Sequence, residues 1–341
     1  MTVRFGVVGA GGIAHSYGQV FAGVVDAAIV GVADTDLSAA RRMAGNLDVI
    51  ATGSVDELVR ALDLDAVIVC TPPNSHPEIS IAAMNAGVAV LCEKPLAIES
   101  DAAQTMVAAA ARAGVLFTMA TKFRFVDDVV RAHDLMTTGA LGDIIQLENS
   151  FASRVDMTKR WNSDRAVSGG GVLIDNGTHS VDIARYFLGP IHEVLVVEGP
   201  RTQEIAVEDS VQLLLRAASG ATATIDLSWS YDNTTDTYLT VYGAAGTVQV
   251  GWRGSEHRPN REHEWRSIGS GYNKITCMRN QVLNFCAALR GDEPLAVSTA
   301  DAIASVQVIE AAYRSLGSGD WVVVDPVQAV DQPAASGEDV A

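Results

Sequence analysis

The sequence predicts an α/β fold in two parts: an N-terminal parallel sheet with helices on both faces, then an α+β domain built on a mostly antiparallel open sheet. Three observations carry this. Up to about residue 122, short apolar strands alternate with helix patterns, as in a doubly wound parallel sheet. Beyond residue 140, apolar and polar residues alternate with period two between short turns, as in antiparallel strands with one covered face. At 341 residues and 48% hydrophobic content, the chain can fill two sizeable cores. The expected divisions are 1–122, 123–325, and a disordered tail over 326–341.

The first strand covers residues 3–8 (VRFGVV) and is apolar and β-branched, as burial on both faces requires. G-A-G-G-I-A follows at 9–14. In the spacing G-x-G-x-x-A, Gly9 takes the tight turn, Gly11 lets the backbone approach a pyrophosphate, and Ala14 allows close helix packing. Gly12 and Ile13 open a helix whose N–H groups would face the anion. A plain strand-to-helix turn has the same spacing, so the next strand decides. It covers 28–33 and ends at Asp34, 20 residues beyond Ala14, where a dinucleotide-binding Rossmann domain places the carboxylate that accepts the adenosine ribose hydroxyls. Asp34-Thr35-Asp36 also suits the cap of a helix over 37–44, and both roles fit together with Asp36 as cap and Asp34 as ligand. A carboxylate there repels a 2′-phosphate and favours NAD, while Arg41 and Arg42 keep NADP open.

Further strands are expected at 66–71, 89–92 and 116–119. Ligands of such sheets sit at the carboxyl ends of the strands. The unusual polar motifs Thr71-Pro72-Pro73-Asn74-Ser75-His76 and Glu93-Lys94-Pro95 both stand there.

In the second part, strands are expected at 144–148, 210–215, 221–229 and 247–250, with helices at 273–289 and 299–316. Gly169-Gly170-Gly171 reads as a flexible entry into another helix, which stops at Gly189-Pro190. At about 100° per residue, Asp175, His179 and Asp182 share one narrow stripe of that otherwise largely apolar helix. Such a stripe is either a satisfied structural network or a proton-transfer pair whose carboxylate orients the imidazole.

A formal charge of −17 argues against nucleic-acid binding, which requires a basic footprint. Residues 122–165 are locally neutral, with seven basic against seven acidic side chains. Cys70, Cys92, Cys277 and Cys286 form no C-x-x-C pair, so separate thiols in a reducing cytoplasm are expected. No membrane span, signal peptide or metal site is expected.

Together the glycine turn, the T-P-P-N-x-x-H segment, E-K-P at 93–95 and Asp175-x-x-x-His179 resemble the glucose-fructose oxidoreductase, inositol dehydrogenase and MocA family (Gfo/Idh/MocA). The resemblance runs to about residue 322. It implies that Lys94, Asp175 and His179 flank the carbon that exchanges hydride with nicotinamide. It implies cofactor contacts at Gly9, Gly11, Gly12, Ile13, Asp34, Thr71, Asn74, His76 and Glu93, and a cis Lys94–Pro95 bond. Oxidising a secondary alcohol needs a base for the hydroxyl proton and a donor where negative charge develops, roles that suit His179 and Lys94. The family's usual substrate is a sugar, an inositol or a nucleotide-linked sugar. Arg124, Arg154, Lys159, Arg160 and Trp161 are the candidates to hold it, since Arg grips anions bidentately and Trp stacks on sugar faces; an ordinary solvated loop is the alternative. By resemblance, the exposed face of the C-terminal sheet pairs copies into a dimer or tetramer. Two further functions stay open: an NAD-dependent glycosidase, which would cleave without net NADH, and a cofactor-sensing regulator, against which the intact Lys94, Asp175 and His179 count.

Overall fold

A computed structural model describes residues 2–326 of the chain; the tail expected to be disordered lies outside the described residues except for Pro326. The described residues divide into two units, one built from residues up to 120 and 278–303, the other from 121–277 and 304–326.

In the first unit the elements alternate as β1 (Val3–Val8), α1 (Gly12–Phe21), β2 (Ala27–Ala33), α2 (Leu37–Leu47), β3 (Ile50–Thr52), α3 (Val55–Ala61), β4 (Ala66–Val69), α4 (His76–Asn85), β5 (Ala89–Glu93), α5 (Ser100–Ala113) and β6 (Phe117–Ala120). The sheet is parallel throughout, in the order β3-β2-β1-β4-β5-β6. The order reverses between β1 and β4, and the carboxyl ends there form the crevice in which such sheets bind ligands. Apolar runs account for the core: Phe5, Val7, Ile68 and Leu91 are fully buried in strands, and Tyr17, Met84 and Met106 in helices. Local chemistry starts and stops the helices. Asp36 caps α2 by accepting from the Ser38 and Ala39 N–H groups, and Ser54 caps α3 through the Glu57 N–H.

The second unit contains α6 (Asp127–Thr137), β7 (Ile144–Ala152), α7 (Arg165–Ser168), α8 (Val172–Leu188), β8 (Ile191–Glu198), β9 (Ser210–Ala217), β10 (Thr222–Ser228), β11 (Thr237–Gly243), β12 (Gly246–Gly251), β13 (Ser255–Pro259) and β14 (Arg266–Gly269). After these come α9 (Lys274–Arg290), α10 (Thr299–Ser318) and β15 (Val322–Val323), the two helices each giving residues to both units. Among the described residues the sheet orders as β14-β13-β12-β11-β7-β10-β9-β8-β15. Every pair is antiparallel except β7 with β10, which run parallel from Gln146 beside Thr222 to Ala152 beside Ser228. Helix α8 lies across β7, β9 and β10. The strands alternate accordingly, with Leu213 and Leu215 buried beside exposed Gln212 and Leu214. Among the described residues no helix is long and apolar enough to cross a membrane, and no group of three or more His, Cys, Asp or Glu side chains is placed to hold a metal ion. All four cysteines are buried.

Candidate active site

The glycine turn closes the carboxyl end of β1. Gly9 has φ +95°, and a Cβ on it would stand 2.8 Å from the Cys70 carbonyl carbon, so this position tolerates only glycine. A Cβ on Gly11 or Gly12 would meet nothing within 4 Å; the space above these residues is open. No side chain caps the N-terminus of α1 and no acidic residue lies in its first turn, which leaves helix N–H groups for an anion. Ile13 is half-buried and Ala14 fully buried, with the helix pressed onto the sheet.

Asp34, at the tip of β2, accepts the Ala10 N–H at 2.7 Å through Oδ2 and the Asp36 N–H at 2.8 Å through Oδ1. Asp36 caps α2 as expected, with the Ser38 hydroxyl holding its carboxyl below the usual range, while Asp34 accepts from the glycine loop. A carboxylate oxygen has two acceptor positions, so these bonds leave room for ribose hydroxyls. Open glycines, an uncapped helix and a carboxylate at the second strand tip fit a dinucleotide.

The ends of β4 and β5 are joined through His76. Its ring is buried, with Nε2 2.8 Å from the Thr71 carbonyl and Nδ1 2.8 Å from the Pro95 carbonyl. Burial holds its pKa below the ordinary imidazole value, with the nearby Lys94 charge acting in the same direction. The neutral ring has one N–H to donate to one of these two carbonyls, and packed between them it braces the turn that carries Lys94. The Lys94–Pro95 bond is cis. Glu93 accepts the Tyr17 hydroxyl at 2.9 Å, and that hydroxyl in turn accepts from Gln281 at 3.0 Å. Tyr17 and Gln281 carry no sequence signal linking them to Glu93. Burial, reinforced by Glu93, pushes the Tyr17 hydroxyl pKa well up, so it stays a donor. Thr71 and Lys94 are half-buried and Asn74 is exposed.

In the second unit, Asp175 and His179 stand one turn apart on α8, Asp175 half-buried and His179 buried. The His179 ring meets the edge of Phe123 at 5.0 Å between centroids. Phe123 belongs to an aromatic cluster with Phe151, Tyr238 and Tyr272. Four separated segments contribute to it, which is why no sequence pattern revealed it. Asp182, one turn on, forms a bidentate ion pair with Arg124: Nε to Oδ2 at 2.9 Å and Nη2 to Oδ1 at 2.8 Å, both side chains buried. The guanidinium also lies 5.1 Å from the Tyr186 ring centre. The Nε–Nη2 edge of Arg124 is thereby engaged by Asp182. Arg154, Lys159, Arg160 and Trp161 are exposed; Arg154 lines an open groove of about 600 Å³ with Asp156, Thr158, Gln203 and Trp229.

Residues 3–121 match the family described as "Oxidoreductase family, NAD-binding Rossmann fold", and residues 129–249 match the GFO/IDH/MocA C-terminal domain. The chain belongs to the Gfo/Idh/MocA oxidoreductase family. Like other members it is an NAD-binding oxidoreductase. It is 27% identical over 336 residues to inositol 2-dehydrogenase of Rhizobium meliloti (strain 1021), covering 93% of this chain and 97% of that one. It is 30% identical over 256 residues to trans-1,2-dihydrobenzene-1,2-diol dehydrogenase of Bos taurus, covering 73% and 74%. The solved structure of GenD2 from gentamicin A biosynthesis, in complex with NAD, superposes with a TM-score of 0.83 at 27% identity, covering 95% and 97%.

Proposed function

We propose that this chain oxidises a secondary hydroxyl of a sugar or polyol, or runs the reverse reduction. The observation that carries the reading is near full-length similarity to a protein named as an inositol 2-dehydrogenase. Retained Lys94, Asp175 and His179 supply the groups that chemistry needs.

When bound, NAD supplies the hydride acceptor. Gly9, Gly11, Gly12 and Ile13 would hold its diphosphate, Asp34 its adenosine ribose, and Thr71, Asn74, His76 and Glu93 would supply its further contacts. His179 takes the hydroxyl proton as general base, Asp175 orients the imidazole, and Lys94 donates to the substrate oxygen, where negative charge grows as hydride leaves. Arg124, Arg154, Arg160 and Trp161 are the candidates to hold the sugar; Trp161 offers an exposed ring for stacking. The unit built from residues up to 120 and 278–303 would serve the cofactor and the other unit the substrate. The outer face of the second sheet, where Val197 and Leu214 stand exposed, pairs copies into a dimer or tetramer. Four buried thiols suit a reducing cytoplasm.

The test is a panel of free sugars, inositols and nucleotide-linked sugars, each read by the nicotinamide absorbance with NAD and with NADP. Net NADH formation from an unglycosylated sugar or polyol supports the reading. Glycosidic cleavage without net NADH overturns it in favour of a glycosidase.

A further inference from the structure

The three glycines ahead of α8 read as a flexible entry in the sequence, and in the structure other segments press directly on two of them, Gly170 and Gly171. A Cβ on Gly170 would overlap the Tyr313 hydroxyl, and one on Gly171 would overlap the Glu208 carbonyl. Glycine is required here because two other segments press against the backbone.

Glu208 is 3% exposed, and it gathers three consecutive N–H groups at the start of α8. Its Oε1 accepts from Gly171 at 2.8 Å and from Leu173 at 3.2 Å, and its backbone carbonyl accepts from Val172 at 3.0 Å. The same Oε1 accepts the Tyr313 hydroxyl at 2.7 Å. Gly171 itself provides no side-chain cap, so a residue 37 positions later performs that task. The first orphan donors of a helix need such acceptors, and a carboxylate at this end also meets the positive pole of the helix. Burial and the adjacent carboxylate push the Tyr313 pKa well above its ordinary value, which keeps its hydroxyl a donor.

We infer that Glu208, clamped by Tyr313, is a positioning residue for the Asp175–His179 pair. This rests on the assignment of that pair to proton transfer. Asp175 closes its own backbone bond onto Gly171 at 3.1 Å, so the clamped residue begins the turn that carries the carboxylate. Glu208 lies two residues ahead of β9, which begins at Ser210, and the clamp therefore ties the start of α8 to the entry of that strand. A slip of one residue in the first turn would move the pair by about 1.5 Å along the axis and about 100° around it. Misplacement by about 1 Å can cost about 10²-fold in rate.

The experiment compares full-length wild type, E208A, E208Q, Y313F and H179A. NAD binding counts the folded sites, and turnover is read with the sugar or polyol found most active in the panel above. Hydrogen exchange is followed at the amides of residues 171–175. The expected result is that E208A lowers kcat per NAD-binding chain by about 10²-fold, leaves the KM for NAD unchanged and speeds amide exchange. E208Q, which keeps the acceptor oxygen, restores most of both. Wild-type kcat in E208A alongside an inactive H179A overturns the clamp and leaves the His179 assignment standing, whereas turnover retained in H179A overturns both. Loss of kcat in E208A that E208Q does not restore overturns the hydrogen-bonding basis. If E208A does not bind NAD, Y313F decides: a fall in kcat at unchanged KM supports the clamp, and wild-type kcat refutes it.

Discussion

Replacing Asp34 by Ser tests the cofactor assignment through two separable effects. The carboxylate accepts the Ala10 N–H at 2.7 Å and the Asp36 N–H at 2.8 Å, and in the proposed complex it also accepts the ribose hydroxyls. Serine removes the charge and shortens the side chain, so both sets of bonds are lost or weakened. A hydrogen bond to a charged group contributes about 1.5–3 kcal/mol, which corresponds to a rise of about 10- to 150-fold in the Kd for NAD. Loosening of the glycine turn penalises NAD and NADP alike, because both share the diphosphate. Only loss of the ribose contact, with its repulsion of a 2′-phosphate, separates them. Selectivity for NAD over NADP should therefore fall by about tenfold or more, the equivalent of about 1.4 kcal/mol. Titration of each cofactor against both proteins by calorimetry gives the four constants needed. Equal weakening of NAD and NADP would refute the ribose contact and leave Asp34 as a brace of the turn.

Lys94→Met keeps most of the stem but removes the ammonium, so NAD should bind with wild-type affinity while turnover collapses; retained turnover in a steady-state assay would assign the oxygen-stabilising role elsewhere. His179→Ala should lower the oxidation rate by ~10²- to 10⁴-fold and flatten the rise of rate with pH that a titrating imidazole produces. Asp175→Asn should cost a smaller or comparable factor, and the double variant should lose less than the product of the two because the residues act as one unit; multiplicative losses in kcat would show that they work separately. Gly9→Ala forces a Cβ against the Cys70 carbonyl at φ +95°, and thermal unfolding should register a loss of about 1–3 kcal/mol.

Local signals made the cofactor half of the molecule readable. Buried parallel strands are short apolar runs, and the glycine turn and Asp34 follow two of them at fixed spacing. Strand β3 escaped notice because Ile50–Thr52 is three residues long with Ile50 exposed, so it sits at the sheet edge without an apolar run. Helix α8 and its stripe were legible from 3.6-residue periodicity. What that stripe touches was not: Arg124 lies 58 positions before Asp182, and Glu208 lies 37 beyond Gly171. Periodicity reports which face is apolar and carries no information on which distant side chain completes it. The glycine triplet shows the same limit, since a backbone that must bend and a backbone that must be approached closely both select glycine.

The parallel pairing of β7 with β10 bears on how the second unit folds. Strands that run the same way cannot be joined by a hairpin, and here the chain between residues 152 and 222 contains α7, α8, β8 and β9. Helix α8 is thus threaded inside the very excursion that the sheet needs before its middle can close. Closing so long a loop is entropically costly and slow, and pairings of high sequence separation retard folding more than they weaken the folded state. In the folded unit α8 packs on β7, β9 and β10, and that burial offsets part of this entropy. Large-to-small substitutions along its buried face should therefore slow refolding in stopped-flow experiments, and an unchanged refolding rate would show that the sheet closes before α8 docks.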